Sequence, residues 1–278
     1  AYLEPLVLGL SHGMCSGWYN TAATHQPLGL DLTITASTVF MPSSSTRFTP
    51  DPAVYSHTLV TGNEGLPTVI GPNTGTAVHF SHTDAQTGRQ IQTTKYIEGI
   101  GLQERFGYNM IPAPIVQVGI GTFWNTDIIV RYMPQMQHGN FSTSLFGLGI
   151  KHDIVQWIPA LQKLPVDMAL FAAFGGFDNQ MNMDGIDMPG EAQEAIFDVN
   201  GWTIQGICSK ELSIITLYGA LGYGSVTSTL QMRGTYVLQA SDGESSVEVQ
   251  DPMGICFKEG VVRGTAAFRM KLAMLTIH

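Results

Sequence analysis

Two histidines and an aspartate stand close together at His79, His82 and Asp84, in the segment HFSHTD. Imidazole and carboxylate groups are common metal ligands, so this spacing could build a metal site in a loop. In a segment rich in serine and threonine, however, histidines three residues apart are more often ordinary polar loop residues. The three cysteines are odd in number, widely separated and without a C-x-x-C pair. We therefore expect no metal site and no cofactor.

Catalytic motifs are equally scarce along the chain. There is no G-x-S-x-G segment that would present a serine nucleophile, although serine and threonine are plentiful and His152 ends a strand-like stretch. The glycine pairs at 99–101 and 119–121 do not continue into the G-x-G-x-x-G loop of nucleotide-binding proteins. The sequence therefore predicts no catalytic residues and a protein that is not an enzyme.

Isolated charges within otherwise apolar stretches are the more informative residues. Asp127 and Arg131 lie in TDIIVRYMP, Lys151 ends LFGLGIK, and Asp167 is the second residue of VDMALFAAF. In each stretch side chains alternate between apolar and polar, which is the period of a β-strand. The charges therefore fall on the strand face opposite the apolar one. Two roles are open for them: ion pairs that stiffen the wall of the sheet, or contacts with a substrate.

The same alternation defines the elements that must position these charges. LDLTITASTVF alternates from Leu30 to Phe40, and APIVQVGIGT places valine and isoleucine on one face and glutamine and glycine on the other. A tight turn at FWN, with two aromatic residues at its tip, joins this strand to the next one. The polar candidates that we assign to the inner face are Asp31, Thr33, Thr35, Gln117, Asp127, Arg131, Lys151 and Asp167.

The composition decides which strand face is inside. Only 13% of the 278 residues are charged, about half of the roughly 25% found in soluble proteins. No apolar run is long enough for a transmembrane helix. The polar faces carry glycine and small polar groups rather than the lysine and glutamate of a solvated sheet. We therefore predict that the apolar faces contact lipid, which requires a closed barrel.

The predicted fold is an all-β, antiparallel transmembrane β-barrel of about 12–14 strands. Residues 1–27 lack alternation and are predicted to be a helical or plug-like periplasmic segment, and residues 28–278 form the barrel. Within the barrel, residues 42–113 form the least regular part, rich in Ser, Thr, Pro and Gly. The spacing of Ile154, Trp157, Ile158 and Leu161 also predicts a short amphipathic helix.

A short repeat suggests how the barrel ends. LSIITLY at 212–218 and LAMLTIH at 272–278 match in residue type, and each has a lysine just upstream. The first copy continues into a return strand, whereas the second stops at His278. We therefore expect the barrel to lack one or two C-terminal strands here, and the next strand to pair with residues 28–41.

The chain also resembles a known group of proteins. PAPIVQVGIG, TDIIVRYMP and LFGLGIKHDIVQWIPALQKLPVD, together with GWYNTA and LDLTI, are similar to an uncharacterised family of Bacteroidota outer-membrane β-barrels. That family is distantly similar to the long-chain fatty-acid outer-membrane transporters. The resemblance covers nearly the whole chain, is most specific over residues 112–167, and implies a barrel of a dozen or more strands without assigned catalytic residues.

These features lead to one expected function and one alternative. The expected function is an outer-membrane channel or transporter for small or hydrophobic molecules, located in the bacterial outer membrane and surrounded by its lipid. The alternative is a non-transporting accessory or scaffold barrel that binds other outer-membrane or periplasmic proteins. The net charge of −9 argues against nucleic acid as a partner, because nucleic-acid binding needs a basic surface.

Overall fold

The computed structural model describes residues 2–51, 58–60, 65–83, 90–183, 190–239, 246–272 and 275–277. The protein is all-β, with 64% of its residues in strands. The strands are β1 (Leu30–Phe40), β2 (Arg47–Phe48), β3 (Thr58–Val60), β4 (Leu66–Pro67), β5 (Thr76–Thr83), β6 (Gln90–Ile97), β7 (Met110–Thr122), β8 (Thr126–His138), β9 (Phe141–Asp153), β10 (Asp167–Asn182), β11 (Gly190–Leu212), β12 (Ile215–Gln239), β13 (Ser246–Gln250), β14 (Met253–Leu272) and β15 (Leu275–Ile277). The α-helices are α1 (Glu4–Met14) and α2 (Leu102–Phe106). Neither helix is long and apolar enough to cross a membrane.

Ten strands form one large antiparallel half-barrel sheet. Its order is β1-β7-β8-β9-β10-β11-β12-β14-β15, with β13 paired to β12 outside this path. From β7 to β12 each strand pairs with the next one along the chain. The β7–β8, β8–β9 and β11–β12 connections are turns of two or three residues, which antiparallel neighbours allow. The β10–β11 pairing is unbroken from Asp167 opposite Ser209 to Asn182 opposite Glu194.

The prediction of one barrel with about 12–14 strands differs from this arrangement. The described part of the large sheet contains ten strands, and β2 to β6 form separate two-stranded and three-stranded sheets. The reason lies in residues 42–113, where proline and glycine interrupt the alternation and leave strands of two to eight residues. Such short strands pair with each other instead of extending the large sheet.

Contacts divide the chain into two compact units. The first comprises residues 1–13, 38–113 and 239–247, and its core contains Ile70, Leu102 and Ile111 beside Leu6, Leu10 and Met41. The second comprises residues 14–37, 114–238 and 248–278. Its core contains Trp18, Ala22, Ile129, Ala169, Phe171, Ala173, Ile207 and Ala220. The predicted site residues all belong to the second unit.

The two faces of the large sheet differ as the alternation predicts. On β10 the outward Leu170 and Phe174 are 50% and 53% exposed, whereas the inward Phe171 is fully buried. On β9 the outward Phe146 is exposed, and the inward Lys151 is buried. Large apolar side chains therefore cover the outer face, while polar side chains are buried on the inner face.

Tight turns hold the register of the hairpins. The β7–β8 turn contains Trp124 and Asn125 with φ values of 58° and 49°, the left-handed conformation that short hairpins require. Leu212 pairs with Ile215 across the β11–β12 turn, and Leu272 of β14 pairs with Leu275 of β15. The described residues of the repeated segments at 212–218 and 272–278 therefore both take part in antiparallel pairs of consecutive strands, as their similarity predicts.

The predicted amphipathic helix near Trp157 is wrong. Residues 154–165 form two 3-10 turns, Val155–Trp157 and Leu161–Lys163, and Trp157 is exposed. Ile158 and Leu164 each precede a proline and are extended. A residue before proline is driven from the helical region by clash with the proline ring, so Pro159 and Pro165 end each turn.

Candidate functional site

Residues 15–27, here called the inner segment, follow α1 and lie against the inner face of the half-barrel sheet. The segment has no helix or strand of its own. Its backbone and side chains instead bond to inward side chains of β7, β8, β9, β11 and β14. The buried polar face predicted from the sequence is therefore occupied by the chain itself.

Trp18 is the largest of the buried side chains of the inner segment. Its indole lies under the Arg131 guanidinium, whose Cζ is 3.7 Å from the ring centroid, a cation–π contact. Gln117 Nε2 donates to the Trp18 carbonyl at 3.0 Å, and Arg131 Nη2 donates to the Ser16 carbonyl at 2.7 Å. Arg131 Nε also donates to Gln117 Oε1 at 2.9 Å, so the two side chains from adjacent strands hold each other in position.

Glycines of the inner face make room for the segment. A Cβ at Gly147 would lie 2.8 Å from Trp18 Cη2, and one at Gly149 would lie 3.2 Å from Trp18 Cε3. A Cβ at Gly121 would lie 2.3 Å from the Gln26 carbonyl, and one at Gly201 would lie 3.0 Å from the Cys15 sulfur. The glycines of β7, β9 and β11 thus mark the path of the segment along the sheet.

A buried ion pair holds the middle and the end of the segment. Lys151 Nζ is 3.0 Å from Asp127 Oδ2, and both side chains are almost completely buried. Lys151 also donates to the carbonyls of Ala23 at 2.7 Å and Thr21 at 3.3 Å. Asp127 accepts from the backbone N–H of His25 at 2.9 Å, and its other oxygen lies 3.0 Å from His25 Nδ1. Lys151 therefore holds the segment at Thr21 and Ala23, and Asp127 holds it at His25.

Neutral polar contacts complete the attachment. The hydroxyls of Thr21 and Ser209 are 3.1 Å apart, and the Ala22 N–H donates to the Ser209 hydroxyl at 3.0 Å. Tyr19 donates to Gln205 Oε1 at 2.5 Å. These contacts reach β11 from a segment almost 190 residues away in sequence, so the inner segment connects distant strands.

The other predicted residues lie near this cluster or at its edge. Asp31 accepts a hydrogen bond of 2.7 Å from Thr33 and lies beside Gly119, while Thr35 lies beside Gly17. Asp167, the first residue of β10, shares the inner-face register but is exposed. Gln117, Asp127, Arg131 and Lys151 are thus the predicted residues that bond directly to the inner segment.

The histidine-rich segment shows no metal-site geometry in its described part. His79 Nδ1 is 2.8 Å from the Thr94 hydroxyl across the β5–β6 pair. Asp84 lies outside the described residues. Over the described ranges, no group of three or more His, Cys, Asp or Glu side chains could hold a metal ion.

Sequence reasoning missed Trp18, Tyr19, Gln205, Ser209 and Arg269 as parts of this site. Arg269 Nη1 donates to Asn20 Oδ1 at 3.3 Å. A signal for the β11 residues was present, because Thr203, Gln205, Ile207 and Ser209 alternate with the outward residues of TIQGICS. The inner segment gave no such signal, since its hydrogen bonds to the sheet join it to strands about 100 to 250 residues away in sequence.

The chemistry of the site is that of attachment. Burial raises the pKa of the Cys15 thiol, although Arg263 and Arg131 act in the opposite direction. Burial also raises the pKa of Tyr19, against the effects of a hydrogen bond to Thr265 and the charge of Arg263. Both groups therefore stay protonated at neutral pH, and the cluster holds a peptide segment through hydrogen bonds and one ion pair.

Comparison with known proteins places the chain in a family without assigning a function. No curated protein and no solved structure matches it. A family model does match, and the match runs over residues 1–278, the whole chain. The protein therefore belongs to DUF6588, a family of unknown function.

Proposed function

We propose that the protein is an outer-membrane β-barrel whose lumen is closed by the inner segment and passes small or hydrophobic molecules when that segment moves. The observation that carries the proposal is that the exposed sheet face is apolar and the buried face is polar, the reverse of a soluble protein. Apolar side chains are exposed on the outer face, while Asp127, Arg131 and Lys151 are buried on the inner face. Lipid around the barrel and a polar lumen explain both properties, since lipid-facing and lumen-facing residues alternate in such barrels.

A row of aromatic residues on the outer face supports contact with a membrane interface. Adjacent strands β8 to β12 each contribute one exposed aromatic side chain to it: Tyr132, Phe146, Phe174, Trp202 and Tyr223. Tyr132 pairs directly with Phe146, and Phe174 pairs directly with Trp202. Aromatic side chains collect at the level of lipid headgroups, where one end is apolar and the other wet.

The outer face beside this row has the dimensions and polarity of a membrane band. On β11 the nine residues 201–209 separate the outward Asn200 from the outward Lys210, and about 9–11 residues span a bilayer in a tilted strand. The outward positions between them are Trp202, Ile204, Gly206 and Cys208. No charged side chain faces outward within this stretch of β11.

The proposal also specifies the membrane in which the protein lies and the closure of the barrel. We place the protein in the outer membrane of Bacteroidota, in a closed barrel to which the half-barrel sheet contributes its wall. Closure is required because each unpaired backbone group at a sheet edge in lipid costs several kcal/mol. The motifs of this chain that resemble Bacteroidota outer-membrane barrels support this assignment, and those barrels are distantly similar to long-chain fatty-acid transporters. The class of molecule transported is inferred from the chemistry of the lumen.

A disulfide that locks the inner segment tests the transport function. The Thr21 and Ser209 hydroxyl oxygens are 3.1 Å apart, so the cysteine pair T21C/S209C brings two sulfurs within bonding reach. The three natural cysteines are replaced by serine in this variant. In planar bilayers the oxidised variant should remain closed, and reduction should restore the conductance of the cysteine-free parent. Equal conductance in the oxidised and reduced states would contradict gating by this segment.

The density of contacts on the inner segment also favours a second function, a non-transporting accessory barrel. An interior fixed by a buried ion pair and by hydrogen bonds to several strands suits a rigid scaffold that binds other envelope proteins. The two functions differ in the same bilayer measurement. A scaffold should show no conductance in any redox state and should be recovered with protein partners after crosslinking in intact cells.

A further inference from the structure

A cavity of about 350 Å³ lies between residues 15–19 of the inner segment and the strands β11, β12 and β14. Its side-chain lining includes Tyr19, Gln205, Tyr218, Arg263 and Thr265. Binding sites for small molecules typically have volumes of about 300–1,000 Å³. The space would hold about a dozen water molecules at roughly 30 Å³ each, so it has room for a small organic molecule.

The charge of the cavity wall is positive. Arg263 is the charged residue of the lining, which contains no aspartate or glutamate. Arg263 acts electrostatically on both Cys15 and Tyr19, which lie on the opposite wall. Two further cations stand just outside the lining, because Arg131 bonds to the Ser16 carbonyl and Arg269 bonds to Asn20. An anion entering this space would meet favourable potential from several sides.

The remaining lining residues supply flat surfaces and hydroxyl groups. The rings of Tyr19 and Tyr218 meet edge to face with centroids 6.3 Å apart, and Trp18 adds a third aromatic side chain to the wall. Thr265 provides a hydroxyl, and the Gln205 amide bonds to Tyr19 and Thr203. Convergent polar groups among aromatic side chains are the usual composition of a small-molecule site.

We propose that this cavity is a binding site for a small organic oxyanion, with its carboxylate or phosphate on Arg263 and its planar part beside Tyr19 and Tyr218. Guanidinium groups bind both oxyanions through paired N–H donors. The inference names the class of molecule that the lumen would carry, and in that respect it rests on the proposed function. The site itself lies within one compact unit and can be measured without transport.

Fluorescence of Trp18 reports binding directly. Trp18 lines the cavity, and replacing Trp124, Trp157 and Trp202 with phenylalanine leaves it as the single tryptophan of the 278 residues. The purified protein in detergent is titrated with sodium benzoate, with sodium phosphate and with benzamide, which has nearly the shape of benzoate without its charge. We expect a saturable change in fluorescence with benzoate, phosphate or both, and at least about tenfold weaker binding of benzamide.

Two variants assign the effect to the cavity. R263Q should weaken oxyanion binding at least about tenfold, whereas R233Q, at an exposed position of β12, should leave it unchanged. Saturation by benzoate shows carboxylate recognition, and saturation by phosphate shows phosphate recognition. Equal affinity for benzoate and benzamide, absence of any saturable signal, or unchanged binding in R263Q would overturn the inference.

The same titration separates failure of this inference from failure of the proposed function. Binding that depends on Arg263 without any conductance in bilayers would support an oxyanion site and contradict transport. Conductance that responds to the T21C/S209C disulfide without oxyanion binding would support transport and contradict the site.

Discussion

Asp127 and Lys151 stand directly opposite each other on β8 and β9, and their charged groups are 3.0 Å apart on the buried inner face. The three N–H groups of the lysine are distributed over Asp127 and the carbonyls of Thr21 and Ala23. The pair thus joins two strands to the inner segment. In the proposed function it is the main electrostatic attachment of the segment that closes the lumen.

Removing the lysine should destabilise the protein strongly. K151M leaves the buried Asp127 carboxylate without its cation, and breaking a buried ion pair costs about 3–5 kcal/mol. We expect the free energy of unfolding, measured by urea titration in lipid vesicles, to fall by about that amount. The double variant K151M/D127L should recover part of the loss, because an apolar pair leaves no buried charge.

The matched control for this measurement is K163M. Lys163 is an exposed residue of the turn Leu161–Lys163, and surface substitutions of this kind usually change stability by less than about 0.5 kcal/mol. A K151M protein as stable as K163M would show that the ion pair does not hold the inner segment.

The packing of Trp18 against β9 should be sensitive to a single methyl group added at Gly147. A Cβ at Gly147 would lie 2.8 Å from Trp18 Cη2, and overpacking of this kind costs about 1–3 kcal/mol. G147A should therefore lower the free energy of unfolding, and W18F should partly relieve the clash because phenylalanine lacks the distal indole ring. A double-mutant cycle of G147A and W18F measures that coupling.

Gly254 supplies the control for this cycle. A Cβ at Gly254 would meet no atom within 4 Å, so G254A should leave stability almost unchanged and show no coupling to W18F. If G147A and G254A behave alike, the inner segment does not lie against β9.

The reaction rate of the Cys15 thiol should report whether the inner segment is bound to the sheet. Burial raises the pKa of its thiol, and only the thiolate reacts with maleimide. A raised pKa lowers the thiolate fraction at neutral pH, so Cys15 should react more slowly than a free thiol and speed up only at higher pH. The measurement uses C208S/C256S, because both of those cysteines are exposed.

Release of the segment should accelerate this reaction. K151M in the same C208S/C256S background should expose Cys15 and raise its alkylation rate at pH 7. An unchanged rate in a folded K151M protein would show that Cys15 is protected by contacts independent of the ion pair.

Substitutions on the outer face distinguish lipid from water as its surroundings. Leu170 and Ile204 are about half exposed, so an arginine at either position would cost little in water. In a membrane, arginine near the midplane of a barrel costs about 2–4 kcal/mol. We expect L170R and I204R to lower the free energy of unfolding in vesicles by that amount, with Q180R, exposed near the end of β10, as the near-neutral control.

The strand faces could be predicted from the sequence because their signal is local. Gln117, Asp127, Arg131 and Lys151 are buried on one face as the alternation of β7, β8 and β9 predicts. Asp167 has the same register, but it is the first residue of β10 and is exposed. Alternation predicts on which face of a strand a side chain lies, but it does not predict how far along the strand that face is buried.

The path of the inner segment could not be predicted in the same way. Thr21 meets Ser209 across 188 residues, and no periodicity connects two such positions. The glycines of the inner face carry the remaining information, since Gly147 and Gly149 leave the space that Trp18 fills. A local signal can also mislead, as the wrong prediction of a helix near Trp157 shows. The apolar spacing there favoured a helix, but Pro159 and Pro165 restrict the backbone of the residues before them.

Spin labelling along β11 tests the central claim most directly. A nitroxide is placed in turn at each of residues 202–209 of the protein in lipid vesicles, and its collisions with oxygen, which dissolves in lipid, and with a water-soluble nickel complex are measured. The account predicts a period of two, with the outward positions 202, 204, 206 and 208 accessible to oxygen and protected from nickel, and the inward positions protected from oxygen. Outward positions as accessible to nickel as to oxygen would contradict it, because the outer face would then lie in water.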